Sequence, residues 1–387
     1  MNTMKLGKAF LAWSMFTLFV ISAIYLSKDN DNIEAKSLSK KERIMARSAQ
    51  EYLMTRDPKT GKVPTERLIE AREYKDALMT KLNKDKAKIP MLTWTDIGPD
   101  TVGGRTRAIM FDPTDATNKR VFAAGTSGGL WRNNDITNKA TVWSKVNDFM
   151  ENLTVVSLAY DPNSTSTWYA ATGEIETSVT PGVGVFKSTD AGSTWTHLSS
   201  TSNYKFNSDI VVRNEGGTSV IYLGSGEISI QALGDPVVQN GAYQGTSGLF
   251  RSVDAGNSWT QVLEKNQQGQ DQLISDLKID GSNNLVVAIG ANSYDHLGGD
   301  IYRCTTGNCS SAANFTKILD NSGKRTLFDV ADSDANIIYV ISESDDQNAG
   351  ANDVGFFKKT INGGSSWTDM TIPKVYDINA DPCVPTN

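Results

Sequence analysis

Acidic side chains follow several of the predicted strands, and they are the first candidates for chemistry in this chain. Glu174, Glu227 and Glu343 each come directly after an apolar run that ends in glycine or serine. Hydrolysis of a glycosidic bond needs two carboxyl groups at a set separation, one acting as acid and the other as base or nucleophile. Glu174 and Glu227 are therefore catalytic candidates, although the sequence does not give their separation. Glu343 is a candidate ligand contact.

Arginines stand where other strands are predicted to begin. Arg105 and Arg325 precede Asp112 and Asp332 by the same number of residues, and Arg107 lies just after Arg105. Guanidinium groups bind carboxylates through paired hydrogen bonds, and a rim of both groups suits a sugar or a carboxylated ligand. We therefore expect these three arginines to contribute to a ligand site.

Histidine and metal chemistry receive little support. The chain has 2 histidines, so a histidine-based triad or a multi-histidine metal site is not indicated. His197 is expected to have a structural role. The acidic runs 280–284, 332–336 and 345–348 could hold calcium, but none matches the calcium loop of EF-hands. We predict no cofactor and no metal, with calcium as the one alternative.

The charge distribution argues against a nucleic-acid partner. The chain has a net charge of −6, and residues 89–387 contain 20 Lys and Arg against 33 Asp and Glu, a balance of −13. Residues 29–88 have the opposite balance, with 15 basic against 11 acidic side chains, or +4. Because an acidic surface repels phosphate, no nucleic acid is expected to bind the larger part.

An eight-residue pattern, S/T-x-D/N-x-G-x-x-W, occurs three times. Each copy lies between two short apolar runs, which predicts the turn of a β-hairpin. The Asp or Asn side chain can accept bonds from nearby backbone amides, Gly allows a positive φ, and Trp covers the hairpin. The structural residues are Ser188, Asp190, Gly192, Trp195, Ser252, Asp254, Gly256, Trp259, Thr360, Asn362, Gly364 and Trp367.

The rest of the chain repeats around these turns. Four short apolar runs recur in the units 108–146, 155–198, 210–263, 273–319 and 327–370. Self-similarity at roughly 50 residues is typical of propellers and solenoids. The sequence thus predicts five four-stranded sheets.

The turn pattern resembles the Asp-box (BNR) repeat of β-propellers, a class that includes sialidases, sortilin-like receptors and xyloglucan-active glycosidases. The stretches 94–99, 102–109 and 127–131 are similar to secreted Bacteroidetes propeller proteins that are often exported by the type IX system. The resemblance covers nearly everything after Ser37. It implies an all-β Asp-box β-propeller, and the repeat itself says little about function.

Two departures weaken an enzymatic interpretation of this resemblance. The xyloglucan-active enzymes have a catalytic Asp where Thr126 stands here. Sialidases have an F/Y-R-I-P motif, and the stretch 104–107 does not match it.

The N-terminal part has a different composition. Lys5 and Lys8 precede the uncharged stretch 9–26, so residues 1–27 are interpreted as a cleaved signal peptide or a retained signal anchor. Residues 28–90 are predicted to form a charged helical region, with helices at 38–54 and 66–82. It is either a spacer or a basic pair that docks on the acidic propeller, which is assigned to residues 91–387.

Two observations predict that the propeller is incomplete at its C-terminus. The stretch 94–97 matches the fourth strand of a blade but lacks the first three strands, so it needs a blade that the sequence does not contain. Cys304 and Cys309 are expected to form a disulfide in the unit that lacks the turn pattern, which leaves Cys383 either with a missing partner or as a free thiol. Seven blades are expected for the whole protein.

The sequence therefore predicts a secreted or surface-displayed β-propeller that acts as a binding or scaffold module for a glycan or protein ligand. A glycoside hydrolase, sialidase-like or xyloglucanase-like and using Glu174 and Glu227, is the alternative. A sortilin-like peptide receptor is a further one. Membrane contact is expected only through the N-terminal segment, if it is retained.

Overall fold

A computed structural model of the chain describes residues 50, 53–61, 64, 67–84, 105–146, 152–174, 180–226, 246–263, 272–290, 298–344 and 354–371. The chain forms two compact units, Met1–Leu53 and Met54–Asn387. Several predictions fall outside the described residues: the export signal, the stretch 94–97, Glu227, Cys383 and most of the first predicted helix.

One long helix, α1 (Arg67–Lys84), lies before the first sheet in the chain and corresponds to the helix predicted at 66–82. The turn before it is closed by Asp57, whose carboxylate accepts the amide of Lys59 at 2.8 Å and pairs with Arg67 at 2.9 Å. Within the described part of the chain, no helix has the length and apolar character that crossing a bilayer requires.

Five four-stranded antiparallel sheets follow, and their strands are hydrogen-bonded in chain order. We number these sheets as blades 1 to 5. Blade 1 contains β1 (Thr106–Phe111), β2 (Val121–Gly125), β3 (Gly129–Asn133) and β4 (Ser144–Lys145); blade 2 contains β5 (Val155–Asp161), β6 (Ser164–Thr172), β7 (Val185–Ser188) and β8 (Thr196–His197); blade 3 contains β9 (Asn207–Glu215), β10 (Thr218–Ser225), β11 (Gly248–Ser252) and β12 (Thr260–Gln261); blade 4 contains β13 (Leu273–Ile279), β14 (Leu285–Gly290), β15 (Ile301–Cys304) and β16 (Thr316–Leu319); and blade 5 contains β17 (Thr326–Val330), β18 (Ile338–Glu343), β19 (Val354–Thr360) and β20 (Thr368–Asp369).

The five sheets are arranged around a common axis. The first strand of each blade packs against the first strand of the next, in the order β1, β5, β9, β13 and β17. All five of these inner strands line one cavity. The protein is therefore an all-β propeller, and the five predicted blades are confirmed.

The core lies between blades rather than within them. Four apolar clusters each join two consecutive blades. Successive side chains of a strand point to opposite faces, so on β6 Trp168 packs between blades 1 and 2 while Tyr169 packs between blades 2 and 3. Both side chains are almost fully buried. A strand that is buried on both faces must be apolar at nearly every position, which explains the uninterrupted apolar runs of the sequence.

The repeated turn has the same geometry in its first two copies. In blade 2, Ser188 Oγ donates to Asp190 Oδ1 at 2.8 Å and accepts the Gly192 amide at 2.9 Å. The Asp190 carboxylate accepts the Thr194 amide at 2.8 Å, and Trp195 Nε1 donates to the Gly192 carbonyl at 3.0 Å. We call this arrangement the corner. Because Trp is held in the corner, the fourth strand begins one residue later and is shorter than predicted.

The corner of blade 3 repeats these bonds. Hydrogen bonds from Ser258 lower the pKa of Asp254 to about 2, so its carboxylate remains an acceptor well into the acid range. In blade 5 Asn362 takes the place of Asp, and Trp367 Nε1 donates instead to the Ile318 carbonyl of blade 4 at 2.7 Å.

The corners of blades 3 and 5 also fasten these blades to the preceding one. A Cβ on Gly256 of blade 3 would lie 2.5 Å from Leu198 Cδ1 of blade 2, and Ser200 Oγ donates to the Gly256 carbonyl at 2.5 Å. A Cβ on Gly364 of blade 5 would lie 2.5 Å from Cβ of Ile318 in blade 4. Glycine is therefore required here for close contact as well as for its positive φ.

Blade 4 replaces the corner with the disulfide Cys304–Cys309. Arg213 of blade 3 reaches across to this hairpin and donates to Cys309 Sγ at 2.6 Å, to the Thr306 carbonyl at 2.6 Å and to the Asn283 carbonyl at 2.8 Å. Blades 3 and 4 are thus joined by a buried guanidinium.

We predict that Gly256→Ala destabilises the protein by about 3 kcal/mol, because the added methyl meets Leu198 and the backbone has φ of 91°. The matched control is Gly217→Ala, which has φ of 92° but open space around the added methyl, and it should cost only about 1 kcal/mol. Urea unfolding measures both values. Equal losses would show that the corner does not fasten blade 3 to blade 2.

Candidate functional site

Glu174 and Arg105, two of the predicted site residues, lie together between blades 1 and 2. Arg105 Nη2 donates to Glu174 Oε2 at 2.7 Å. Glu174 lies two residues after the end of β6 and is only 1% exposed, whereas the Arg105 side chain is about half exposed. The carboxylate is therefore enclosed, and its charge is balanced from the solvent side.

Arg325 and Glu343 lie together in blade 5, where the Glu343 amide donates to the Arg325 carbonyl at 2.9 Å. In blade 1 the Thr126 amide donates to the Arg105 carbonyl at 3.1 Å, as the Glu343 amide does to the Arg325 carbonyl. Arg105 and Arg325 therefore occupy equivalent positions. In blade 2 the equivalent donor is Gly173, which places Glu174 one position later than Glu343. The predicted equivalence of these two glutamates is therefore off by one residue.

The inner strands enclose a cavity of about 930 Å³ that includes residues of all five described blades. Of the predicted ligand contacts, Arg107 lines it. The cavity also has polar side chains that the sequence analysis missed, namely Ser157, Asp209, Asp276, Lys278 and Asp329. Their signal in the sequence is a polar residue within an otherwise apolar first strand.

Three of these polar side chains cap the inner strand of the following blade. The Ile210 amide donates to Ser157 Oγ at 3.2 Å, and the Leu277 amide donates to Asp209 Oδ2 at 3.2 Å. The Phe328 amide donates to Asp276 Oδ2 at 3.1 Å.

The three capping residues occupy equivalent positions. Each follows a register shift at the start of its inner strand, where one residue leaves the ladder. The strand that each of them caps is the edge of its sheet, so its outward amides have no ladder partner, and the capping side chains supply acceptors for such amides.

The two capping aspartates also interact with each other. Ser157 Oγ donates to Asp209 Oδ1, which also accepts the Ile210 amide at 2.8 Å. Burial and the adjacent charge of Asp209 raise the pKa of Asp276 to about 7, and a hydrogen bond between the two carboxyl groups acts in the same direction. Asp276 therefore keeps a proton under conditions in which a free aspartate is ionised.

Lys278 provides the positive charge of this cluster. Its Nζ lies 3.6 Å from Asp276 Oδ1. Burial alone lowers the pKa of Lys278, but the charges of Asp276, Asp209 and Asp329 outweigh it, so the net shift is upward. Lys278 therefore remains an ammonium group within the cavity.

The cavity wall offers apolar and polar groups to solvent. Tyr160 is 41% exposed and Asp329 is exposed, and both line the cavity. Ile109, also in the lining, is 68% exposed. Within one cavity, the aromatic ring can stack on a ring of a ligand. The carboxylate and the ammonium group can form hydrogen bonds with hydroxyl or amide groups of the ligand.

A second, polar pocket of about 420 Å³ lies where the acidic runs 280–284 and 332–336 of blades 4 and 5 meet. Here Arg303 Nη2 donates to Asp280 Oδ2 at 2.6 Å and to the Ala335 carbonyl at 2.8 Å. A guanidinium thus neutralises Asp280. Across the described ranges there is no group of three or more His, Cys, Asp or Glu side chains that could hold a metal ion. The third run, 345–348, lies outside them.

No protein-family model matches the sequence, and no curated protein matches it. Among solved structures, the chain is similar to the GH74 enzyme of Niastella koreensis, with a TM-score of 0.41 and 21% identity over 69% of this chain and 45% of that one. The GH74 xyloglucanase from Xanthomonas campestris gives 0.39 and 17% over 71% and 46%. YCF48 from Cyanidioschyzon merolae gives 0.38 and 10% over 69% and 85%. The chain spans less than half the length of these GH74 enzymes, and similarity at this level says nothing about activity.

We predict that Arg105→Met destabilises the protein by about 2 kcal/mol, since it removes the ion pair with the buried Glu174 carboxylate; the exposure of Arg105 reduces the loss below that of a fully buried pair. Glu174→Gln should cost about 1 kcal/mol, because the amide still accepts a hydrogen bond. The double variant should resemble Glu174→Gln. Additive losses in urea unfolding would contradict a coupled pair.

Proposed function

We propose that this protein is an exported β-propeller that acts as a binding module, and that its ligand, a glycan, enters the central cavity. The observation that carries the proposal is the cavity itself: about 930 Å³ along the inner strands, with Tyr160 and Asp329 accessible on its walls. Sugars are bound by stacking on aromatic rings and by hydrogen bonds from their hydroxyl groups to carboxylates.

The surroundings of the carboxyl groups favour binding over hydrolysis. Glu174 is enclosed and paired with Arg105, so it does not face a substrate in solvent. Asp209 and Asp276 each accept a backbone amide of the following blade, so both carboxyl groups are engaged in holding strands together. Glu227, the other residue of the hydrolase alternative, lies outside the described residues.

The disulfide supports export of the protein, and the corners support its membership of the Asp-box propellers. Cys304–Cys309 suits an oxidising compartment, in keeping with secretion or display at the cell surface. The corner geometry supports membership of the Asp-box propellers, including the sortilin-like Bacteroidetes proteins exported by the type IX system. Further blades, to a total of seven, remain a prediction.

The test is binding of the full chain to a panel of soluble polysaccharides, followed by calorimetry with any that bind. Tyr160→Ala and Asp329→Asn should each weaken binding about tenfold, because each removes one contact in the cavity. The control is Tyr74→Ala, an exposed tyrosine of α1 that does not line the cavity.

Three outcomes would overturn the proposal. Binding to unstructured peptides but to no glycan would favour the receptor alternative. Release of reducing sugar that is lost in Glu174→Gln would establish the hydrolase. Glycan binding that neither cavity variant weakens would place the site elsewhere.

A further inference from the structure

Side-chain hydrogen bonds connect the inner strands of blades 2, 3, 4 and 5 in one series. Ser157 of β5 bonds to Asp209 of β9, and Asp209 accepts the amide of Leu277, the residue that follows Asp276 on β13, at 3.2 Å. Asp276 in turn accepts the Phe328 amide of β17 at 3.1 Å. The two aspartates therefore link three blades at the wall of the cavity, and we call them the carboxyl clasp.

Among the described residues, one cation, Lys278, lies within 4 Å of a carboxyl group of the clasp. The groups that face it are Ser157 from β5, Lys278 from its own strand β13, Asp329 from β17 and, in the lining of the same cavity, Arg107 from β1. The Lys278 ammonium group lies 3.6 Å from Asp276, and it also interacts electrostatically with Asp329. Asp276 is 8% exposed, so water compensates little. Two neighbouring carboxylates at such a site do not both ionise readily.

We propose that the clasp holds one proton between Asp209 and Asp276, and that loss of this proton loosens the packing of blades 3, 4 and 5 around the cavity. With the proton in place, one carboxyl group donates to the other, and both retain oxygens that accept the amides of Leu277 and Phe328. Without it, two negative charges repel each other across the boundary between blades 3 and 4. The cavity is therefore tight in acid and loose in mild alkali.

The direction of the pH effect follows from the raised pKa of Asp276. Its value in the folded protein, about 7, lies above the 3.8 of a free aspartate, so the folded state binds the proton more tightly than the unfolded state. The stabilisation from this proton is complete below the unfolded value. It decreases as pH rises between the two values and is absent above about 7. This is opposite to the usual behaviour of a paired carboxylate.

The test uses Asp276→Asn in the full chain, because an amide copies the protonated acid and can still donate to Asp209 and accept from Phe328. Wild-type protein should have a Tm several degrees lower at about pH 8.5 than at about pH 5.5. Asp276→Asn should lose most of this difference and should be the more stable protein at the higher pH. The matched control is Asp334→Asn, since Asp334 is an exposed aspartate of blade 5 that accepts the Asn336 amide at 2.9 Å and does not line the cavity.

Amide hydrogen exchange measures opening at individual residues, so it distinguishes loosening at the clasp from a general loss of stability. In wild-type protein, raising the pH should increase opening at the Leu277 and Phe328 amides, after correction for intrinsic exchange, more than at Ile221 and Leu223 in the middle of β10. The variant should show no such selective increase.

Infrared spectroscopy of the wild-type protein tests the shared proton even if the variant fails to fold. A carboxylic-acid band that titrates with a midpoint near 7 is expected. The proposal is overturned if no carboxyl group titrates between about pH 6 and 8. It is also overturned if a folded Asp276→Asn variant keeps the full wild-type dependence of Tm on pH.

Discussion

Blades 2, 3 and 4 each bury both faces against the neighbouring blades, and the rest of this structure depends on that burial. A blade has no core of its own, since the apolar clusters each belong to two consecutive blades. Every device that sets the spacing between blades therefore stabilises the whole molecule. The glycines of the corners allow the close approach at the rim, as Gly256 does against Leu198. Near the axis, side chains at the shifted positions of the inner strands take over the same task.

Polar groups within such a core must be satisfied across blade boundaries, and this explains where the charges lie. Arg213 bonds to the hairpin of blade 4, Arg105 pairs with Glu174 between blades 1 and 2, and the Asp209 and Asp276 carboxylates accept amides of the following blade. Arg213, Glu174 and Asp276 are buried, and an unpaired polar group would be costly at such positions. The cavity is thus lined by side chains whose first role is to hold the blades in register. Only the groups that also reach solvent, such as Tyr160 and Asp329, are available to a ligand.

The fold could be predicted from the sequence because its signals are local. The turn pattern places Asp, Gly and Trp within eight residues, and apolar runs on either side mark the strands. The pairing of Cys304 with Cys309 belongs to the same class, since both lie in one hairpin. The fourth strands were predicted too long, because Trp195 and its equivalents are used in the corner rather than in the ladder.

The candidate site was only partly predictable, because it depends on contacts between distant segments. Arg105 and Glu174 were selected separately, and nothing in the sequence joins them. Asp209 and Asp276 were missed because a single acidic residue in an apolar run looks like an interruption of a strand. Their meaning depends on a register shift and on the neighbouring blade, neither of which a local pattern encodes.

The hydrogen bonds from Arg213 to blade 4 limit how freely the repeats can be exchanged. Propellers are commonly regarded as modular, with blades that evolution duplicates and recombines as units. Here the arginine and the cysteine loop that it holds belong to different blades, so neither is complete without the other. The unit that could be inherited or transplanted intact is therefore the pair of blades 3 and 4.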